Sequence, residues 1–260
     1  PLAAYLDETG TSLTAARAER ARLISFVDAT FLSATSNDAP LGGPLLAAFR
    51  RGELSREEAR NNIVMLFVVG TVTTICATGN TLSCLFAVPD RYARVAAGEL
   101  SPAAVVAESL RYQPPVHFLP RFARHDTEVA GVPIARGSAV QVCLASANRD
   151  ESVFADPDTW SPGRPGLHRT LAFGYGRHGC VGGLMGEAEA VELVTALTER
   201  FPDAAPLPTM AAPAGWVFRR PATLPVRLNG PAPRSRPGTA VGGRVGVAPG
   251  SDARGQEGTP

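Results

Sequence analysis

The sequence contains no lysine, so all 25 of its basic residues are arginine. These are balanced by 24 acidic residues, which leaves a formal net charge of +1. A balance so near zero gives no reason to expect binding to nucleic acid or to an anionic membrane. With 45% hydrophobic residues among 260, the composition is typical of a soluble globular protein with enough apolar material for one substantial core.

Cysteine is also scarce. The four cysteines, Cys76, Cys84, Cys143 and Cys180, are too scattered for a disulfide framework, and none forms a C-x-x-C pair for structural zinc. This pattern favours a reducing, cytoplasmic location. No charged-then-apolar leader is visible at Pro1, and we expect the natural start of the protein to lie upstream.

The longest apolar stretch follows "ELSREEARNN", where Ser55 and Glu58 form a capping-box pattern. We therefore predict one long helix over about 56–88. Gly, Thr, Asn and Ser interrupt its apolar run after Ile63 to Val69, which is typical of a buried helix rather than a membrane span. Because this helix is apolar on nearly all sides, we expect other helices to wrap it and to make it the central element.

Residues that start or stop helices and strands predict the remaining elements. Helical spacing runs over 12–34, a second helix begins with Ser101 and Pro102 and ends before Pro114, and a third covers 183–201. Alternating runs between 116 and 147 predict two or three small strands, followed by a long irregular segment. Residues 229–260 are rich in Gly, Pro, Ser and Arg and are predicted to be a disordered tail after a domain over 1–228.

The stretch "FGYGRHGCVGG" allows two interpretations. It contains a G-x-G-x-x-G at Gly174, Gly176 and Gly179, but a dinucleotide loop needs a buried strand before its first glycine, and "SPGRPGLHRTLAF" is a poor strand. The other interpretation centres on Cys180: glycines allow a macrocycle to approach a thiolate, and a following helix stabilises negative sulfur. An inert buried cysteine is the third possibility.

The motifs resemble those of the cytochrome P450 superfamily, bacterial soluble type. The match to its F-G-x-G-x-H-x-C-x-G haem signature involves six residues, namely Phe173, Gly174, Gly176, His178, Cys180 and Gly182. Glu108 and Arg111 correspond to the family's E-x-x-R, and "NRDESVFADPDTWSPGR" is similar to the segment whose Arg164 joins that pair. On the long helix, "VVGTVTT" resembles the oxygen-binding A-G-x-[ED]-T-T, with Val72 in place of the acid.

The resemblance implies a mainly α fold with small β-sheets, in which the long central helix lies over a haem and the cysteine loop lies beneath it. It extends from about residue 12 to Leu228 and covers the C-terminal part of the family's length, so the N-terminal portion of the fold is expected to be missing.

The resemblance also assigns roles to residues. Cys180 would ligate the iron of haem b, Arg121 and His178 would contact its propionates, and the Glu108 cluster would be structural. Gly70 and Thr73 would form the oxygen side. Substrate contacts would come from the central helix and from the segment after Pro115, and they are Val69, Val116, Phe118 and Leu119.

The implied activity is insertion of one oxygen atom of O2 into a small apolar substrate in bacterial secondary metabolism. A ferredoxin or flavodoxin-type donor with an NAD(P)H-dependent reductase would supply electrons, with Arg169 and Arg177 offering positive charge at its docking face. The alternatives are a haem-binding protein that does not turn over, suggested by Val72, and a truncated remnant of such an enzyme.

Overall fold

Helices predominate in the computed structural model, which describes residues 13–32 and 42–228. The predicted tail, 229–260, lies outside these residues. The helices are α1 (Leu13–Thr30), α2 (Gly42–Arg50), α3 (Arg56–Phe86), α4 (Arg91–Ala96), α5 (Pro102–Tyr112), α6 (Leu144–Ala147) and α7 (Gly183–Arg200). The strands are β1 (Phe118–Phe122), β2 (Thr127–Val129), β3 (Val132–Ile134), β4 (Ala139–Cys143), β5 (Ala205–Pro206) and β6 (Val226–Arg227). This confirms the predicted class.

Within the described residues, the strands form three separate antiparallel pairs. β1 pairs with β4, β2 with β3, and β5 with β6. The register of the first pair places Leu119 opposite Val142 and Arg121 opposite Val140. Two or three strands were predicted over 116–147, and the structure has four there, because the short β2–β3 hairpin is inserted between the two strands of the larger pair.

The long predicted helix is α3, and its start follows the capping box in detail. The Ser55 side chain accepts a hydrogen bond from the Glu58 backbone N–H at 3.2 Å, while Glu58 Oε2 accepts one from the Ser55 N–H at 2.9 Å. Two of the helix's otherwise unpaired N-terminal groups are thereby satisfied. The helix ends at Phe86, two residues before the predicted end.

The expectation that α3 is wrapped along its length was wrong. Its C-terminal half is buried, but Met65, Phe67 and Ile75 are each more than half exposed. By length and composition α3 also qualifies as a membrane span, with 17% of its most apolar window buried. Buried polar residues in its second half, including Asn80 and Thr81, are hydrogen-bonded inside the protein, which is the pattern of a helix in a folded core.

Two hydrophobic clusters lie along α3. The first joins its N-terminal end to α1 and α2, and its buried members are Val27, Leu32, Leu46, Ala59 and Ile63. The second joins its C-terminal half to α4, α5 and α7, with Leu85, Val105, Val106, Ala190 and Val194 among the buried side chains. The stretch between the clusters contains Gly70 and Thr73.

Candidate haem-thiolate site

The loop before α7 presents Cys180 at the protein surface. A single 3-10 turn, Gly176–His178, precedes the cysteine, and the Cys180 N–H donates to the Phe173 carbonyl at 2.8 Å to close the loop. Gly174 and Gly176 have φ angles of +68° and +72°, which favour glycine. The loop therefore has a defined shape, and the Cys180 side chain is exposed.

Two adjacent glycines after the cysteine have different surroundings. A Cβ added at Gly183 would lie 3.3 Å from the Phe173 ring, so packing inside the protein disfavours a larger residue at this position. At Gly182, by contrast, no atom of the described residues beyond its chain neighbours would lie within 4 Å of an added Cβ. Packing within the described residues therefore does not explain a glycine at position 182.

The surface around Cys180 is apolar. Tyr175, Val181 and Leu184 are 89%, 91% and 88% exposed, which is unusual for three large side chains so close in sequence. Together with the accessible thiol and the open space at Gly182, this surface fits a flat apolar group whose metal ion binds a thiolate ligand. The residues present thus satisfy the chemical requirements of a haem ligated through Cys180.

Cys180 is exposed, whereas Cys76 and Cys84 are buried. Burial raises the pKa of the Cys84 thiol to about 11 and raises the pKa of the Cys76 thiol as well. Both thiols therefore stay protonated at neutral pH and are poor metal ligands. Within 13–32 and 42–228, no three His, Cys, Asp or Glu side chains are grouped to hold a metal ion.

The dinucleotide interpretation finds no support in the local structure. Ala172 and Phe173, which precede Gly174, lie in a turn rather than a strand. Without a strand ending at the first glycine, the loop lacks the strand-to-helix geometry that places a pyrophosphate.

Glu108, Arg111 and Arg164 meet in a buried cluster. Arg111 donates from Nε to Glu108 Oε2 and from Nη2 to Oε1, both at 2.8 Å, with neither side chain exposed. Arg164 Nε donates to the same Oε1 at 3.1 Å. One carboxylate thus holds two guanidinium groups, and this bidentate geometry is far more specific than a surface ion pair.

Asn148 connects this cluster to the cysteine loop. Arg111 Nη1 donates to the Asn148 carbonyl at 2.9 Å, and the Asn148 side-chain oxygen accepts from the Leu171 N–H at 2.7 Å. Leu171 lies two residues before Phe173, where the loop begins. No role for Asn148 was predicted from the sequence, although its place at the start of "NRD", directly after α6, was an available signal.

On α3, the side chains of three threonines bond to the helix itself. Thr73 Oγ1 donates to the Val69 carbonyl at 2.6 Å, and Thr71 and Thr74 make the corresponding bonds one turn back. The helix is continuous through this stretch. The Thr73 hydroxyl hydrogen is therefore committed to the backbone, while its oxygen can still accept a hydrogen bond.

Packing of α7 on α3 brings the two motifs into the same part of the molecule. A Cβ at Gly186, six residues after Cys180, would lie 3.7 Å from Thr74 Oγ1. Gly70 is exposed, and no described atom would lie within 4 Å of its Cβ. The helix is thus accessible beside the proposed oxygen-side residues.

Four further predicted site residues lie on or just before β1. Val116, Phe118 and Leu119 are partly buried, whereas Arg121 is exposed and its Nη1 donates to the Pro120 carbonyl at 2.9 Å. His178 is exposed in the 3-10 turn before Cys180. Both side chains are accessible from outside the protein.

A cavity of about 460 Å3 lies between α3, α7 and the segment 220–224. Thr74, Ile75 and Leu193 line it, but Cys180, Thr73 and Phe118 do not. It is therefore adjacent to the site and separate from the predicted substrate contacts.

The sequence of the chain matches a family model and several known proteins. The family model described as Cytochrome P450 matches residues 103–206. A putative cytochrome P450 140 of Mycobacterium tuberculosis is 40% identical over 186 residues, covering 69% of this chain and 41% of that protein. The vitamin D3 dihydroxylase of Streptomyces griseolus is 33% identical over 197 residues, covering 75% and 47%.

Among solved structures, CYP154A1 from Streptomyces coelicolor superposes with a TM-score of 0.75 at 30% identity. The superposition covers 85% of this chain and 57% of that one. The chain thus spans about two fifths of the length of the mycobacterial relative.

The cysteine loop, the helix that follows it and the buried Glu108–Arg111 pair all lie within the residues that the Cytochrome P450 family model matches. The chain belongs to the cytochrome P450 superfamily.

Proposed function

We propose that the chain binds haem b through Cys180 Sγ. The observation that carries this proposal is the pairing of an exposed thiol with Gly182, whose missing Cβ leaves open space beside it. Phe173, Gly174 and Gly176 set the shape of the loop. Arg121 and His178 would donate hydrogen bonds to the two propionates, and the Glu108–Arg111–Arg164 cluster would hold the loop in place through Asn148.

The activity we propose is that of a monooxygenase acting on a small apolar substrate in bacterial secondary metabolism. A haem bound through this thiolate would supply the oxidising chemistry, in which one atom of O2 enters a C–H bond and the other leaves as water, with two electrons and two protons consumed. In this chain Gly70 and Thr73 would face the oxygen, with Thr73 Oγ1 as a hydrogen-bond acceptor. Substrate would contact Val69, Val116, Phe118 and Leu119.

Electrons would come from a ferredoxin or flavodoxin-type donor served by an NAD(P)H-dependent reductase. The exposed side chains of Arg169 and Arg177, close in sequence to Cys180, would attract an acidic donor. This interaction fits the predicted cytoplasmic location.

Reconstitution tests the haem proposal. The protein is mixed with haem, reduced and exposed to carbon monoxide, and we expect the strongly red-shifted Soret band of a thiolate-ligated carbonyl. Cys180→Ala should abolish the band, while Cys143→Ala, at a partly buried cysteine on β4, should retain it. A band that survives Cys180→Ala would refute the assignment.

A haem-binding protein that does not turn over is the second candidate, and Val72 favours it. An apolar residue stands where the family has an acid, and the Thr73 hydroxyl hydrogen is directed to Val69. If the thiolate band forms without substrate oxidation in the presence of a competent reductase, this candidate is correct. Val72→Glu should then raise oxidation if proton delivery was the missing step.

A further inference from the structure

An exposed tryptophan stacks on Phe118, which is one of the proposed substrate contacts. The rings of Phe118 and Trp216 lie 5.1 Å apart between centroids with an angle of 25° between their planes. Trp216 is 63% exposed, so the pair displays a large aromatic surface outside both hydrophobic clusters. Tryptophan is enriched among the residues that dominate binding energy, because its rigid ring supplies a large contact area.

The backbones that carry the two rings are fixed to each other. The His117 N–H donates to the Val217 carbonyl at 2.9 Å, and the Arg219 N–H donates to the Pro115 carbonyl at 3.0 Å. Val116 and Phe218 form a β-bridge between these bonds. Since strand-like pairing holds both segments, the stacked rings form a preorganised wall rather than two mobile side chains.

Asn80 attaches this wall to the central helix. Its side chain is 1% exposed, and its amide donates to the Gln113 carbonyl at 3.0 Å and to the Arg219 carbonyl at 2.8 Å. Asn80 lies seven residues after Thr73, which places both on one face of α3 about 10 Å apart along the axis. The two paired segments are therefore anchored to the same face of α3 that carries the proposed oxygen-side residue.

We propose that Trp216, supported by Phe118, selects a planar unsaturated ring system as the substrate. This inference rests on the proposed function and specifies the substrate class of that site. A flat π-system stacks in an offset arrangement on an indole and gains attraction beyond the area that it buries. A saturated ring of the same size buries similar area without that gain, because its puckered hydrogens hold it away from the indole face.

A matched pair of probes tests the selection. The full 260-residue chain, mixed with haem, is titrated by calorimetry with 2-naphthol and with its saturated counterpart decahydro-2-naphthol. We expect 2-naphthol to bind about 10-fold more tightly. Trp216→Leu should remove the difference, and Trp216→Phe should keep most of it. Phe122→Leu is the control, because this phenylalanine is also on β1 and 69% exposed.

Three outcomes overturn the proposal. Equal affinities, no binding of either probe, or a preference that survives Trp216→Leu all refute selection by the wall. The carbon monoxide spectrum of the same preparation separates this result from the haem proposal. A preparation that shows the thiolate band but binds both probes equally refutes only the wall, whereas a ring preference without the band refutes the haem assignment and leaves the wall supported.

Discussion

Gly182 and Gly183 are adjacent in the sequence but differ in what surrounds them. Gly183 lies against Phe173, while the space beside Gly182 is open. A substitution at each position therefore separates two requirements at residue scale, namely the packing of the loop and the approach of a ligand to Cys180.

Gly182→Ala should weaken haem binding and leave the haem-free fold intact. The new methyl group would enter the open space beside Cys180, where we expect it to lower haem affinity at least about 10-fold, and the loss of a glycine should not reduce stability. Haem titration followed by absorbance and urea unfolding measure the two effects.

Gly183→Ala is the control, with an expected loss of about 1 kcal/mol in the free energy of unfolding through overpacking against Phe173. Full haem affinity in Gly182→Ala would contradict close approach at this position.

Glu108→Gln should destabilise the fold strongly. The change leaves the fully buried Arg111 without its counter-charge, a situation that costs about 3–5 kcal/mol. Urea denaturation of the haem-free protein measures the loss. Glu99→Gln provides the comparison, because Glu99 pairs with Arg94 on the surface and such pairs contribute about 0–1 kcal/mol. Similar losses in the two variants would show that burial does not determine the strength of the cluster.

At the scale of elements, helix starts and stops were predictable where a local group determines them. Ser55 with Glu58 predicted the start of α3, and Pro102 predicted that of α5. The short helix α4 was not predicted. It follows Asp90, which has a left-handed conformation with φ of +68°, and no sequence pattern predicts that conformation.

Contacts between distant segments were the part that the sequence did not reveal. Asn148 bonds to Leu171, 23 residues later, and Asn80 bonds to Arg219, 139 residues later. An asparagine looks the same in sequence whether it bonds to water or to a distant carbonyl, so only the fold distinguishes these two. The residues of the cysteine loop, by contrast, are contiguous and could be selected from their spacing.

Ser55→Ala tests the cap of α3. Loss of the hydroxyl should cost about 1 kcal/mol in the free energy of unfolding at neutral pH. Ser101→Ala is the matched control, because Ser101 is the N-cap of α5 but makes no side-chain capping bond, and we expect almost no change there. Equal losses in both variants would show that the capping bond at Ser55 is not the cause.

The same cap should make stability depend on pH. The Ser55 backbone N–H, followed by its hydroxyl, lowers the pKa of the exposed Glu58 carboxyl. The stabilisation is therefore complete above the ordinary pKa of glutamate and is lost as the pH falls through the lowered value. Unfolding of Glu58→Gln and of the unchanged protein, measured between pH 7 and pH 3, should converge at the acidic end. A difference that stays constant over this range would contradict the linkage.

At the scale of the whole molecule, one face of α3 contributes residues to both hydrophobic clusters. Ala59 and Ile63 are buried in the first cluster, and Ala77 is buried in the second. Between them the same face is exposed at Phe67 and Gly70. Periodicity predicts which face of a helix is apolar, but it does not predict where along the helix a partner ends, and this is why the expectation of a wrapped helix failed.

The exposed part of this face should bind apolar dyes. Phe67→Ser should reduce the fluorescence of 8-anilinonaphthalene-1-sulfonate with the haem-free protein and change the free energy of unfolding by no more than about 0.5 kcal/mol, as is usual for an exposed site. Ile63→Ser, one turn earlier on the same face, removes a side chain that is 6% exposed and should cost about 2–5 kcal/mol.

If Phe67→Ser were as destabilising as Ile63→Ser, the first cluster would have to extend to residue 67. If dye binding falls in Phe67→Ser and also falls when haem is added to the unchanged protein, the gap between the clusters is the place where an apolar ligand covers the central helix.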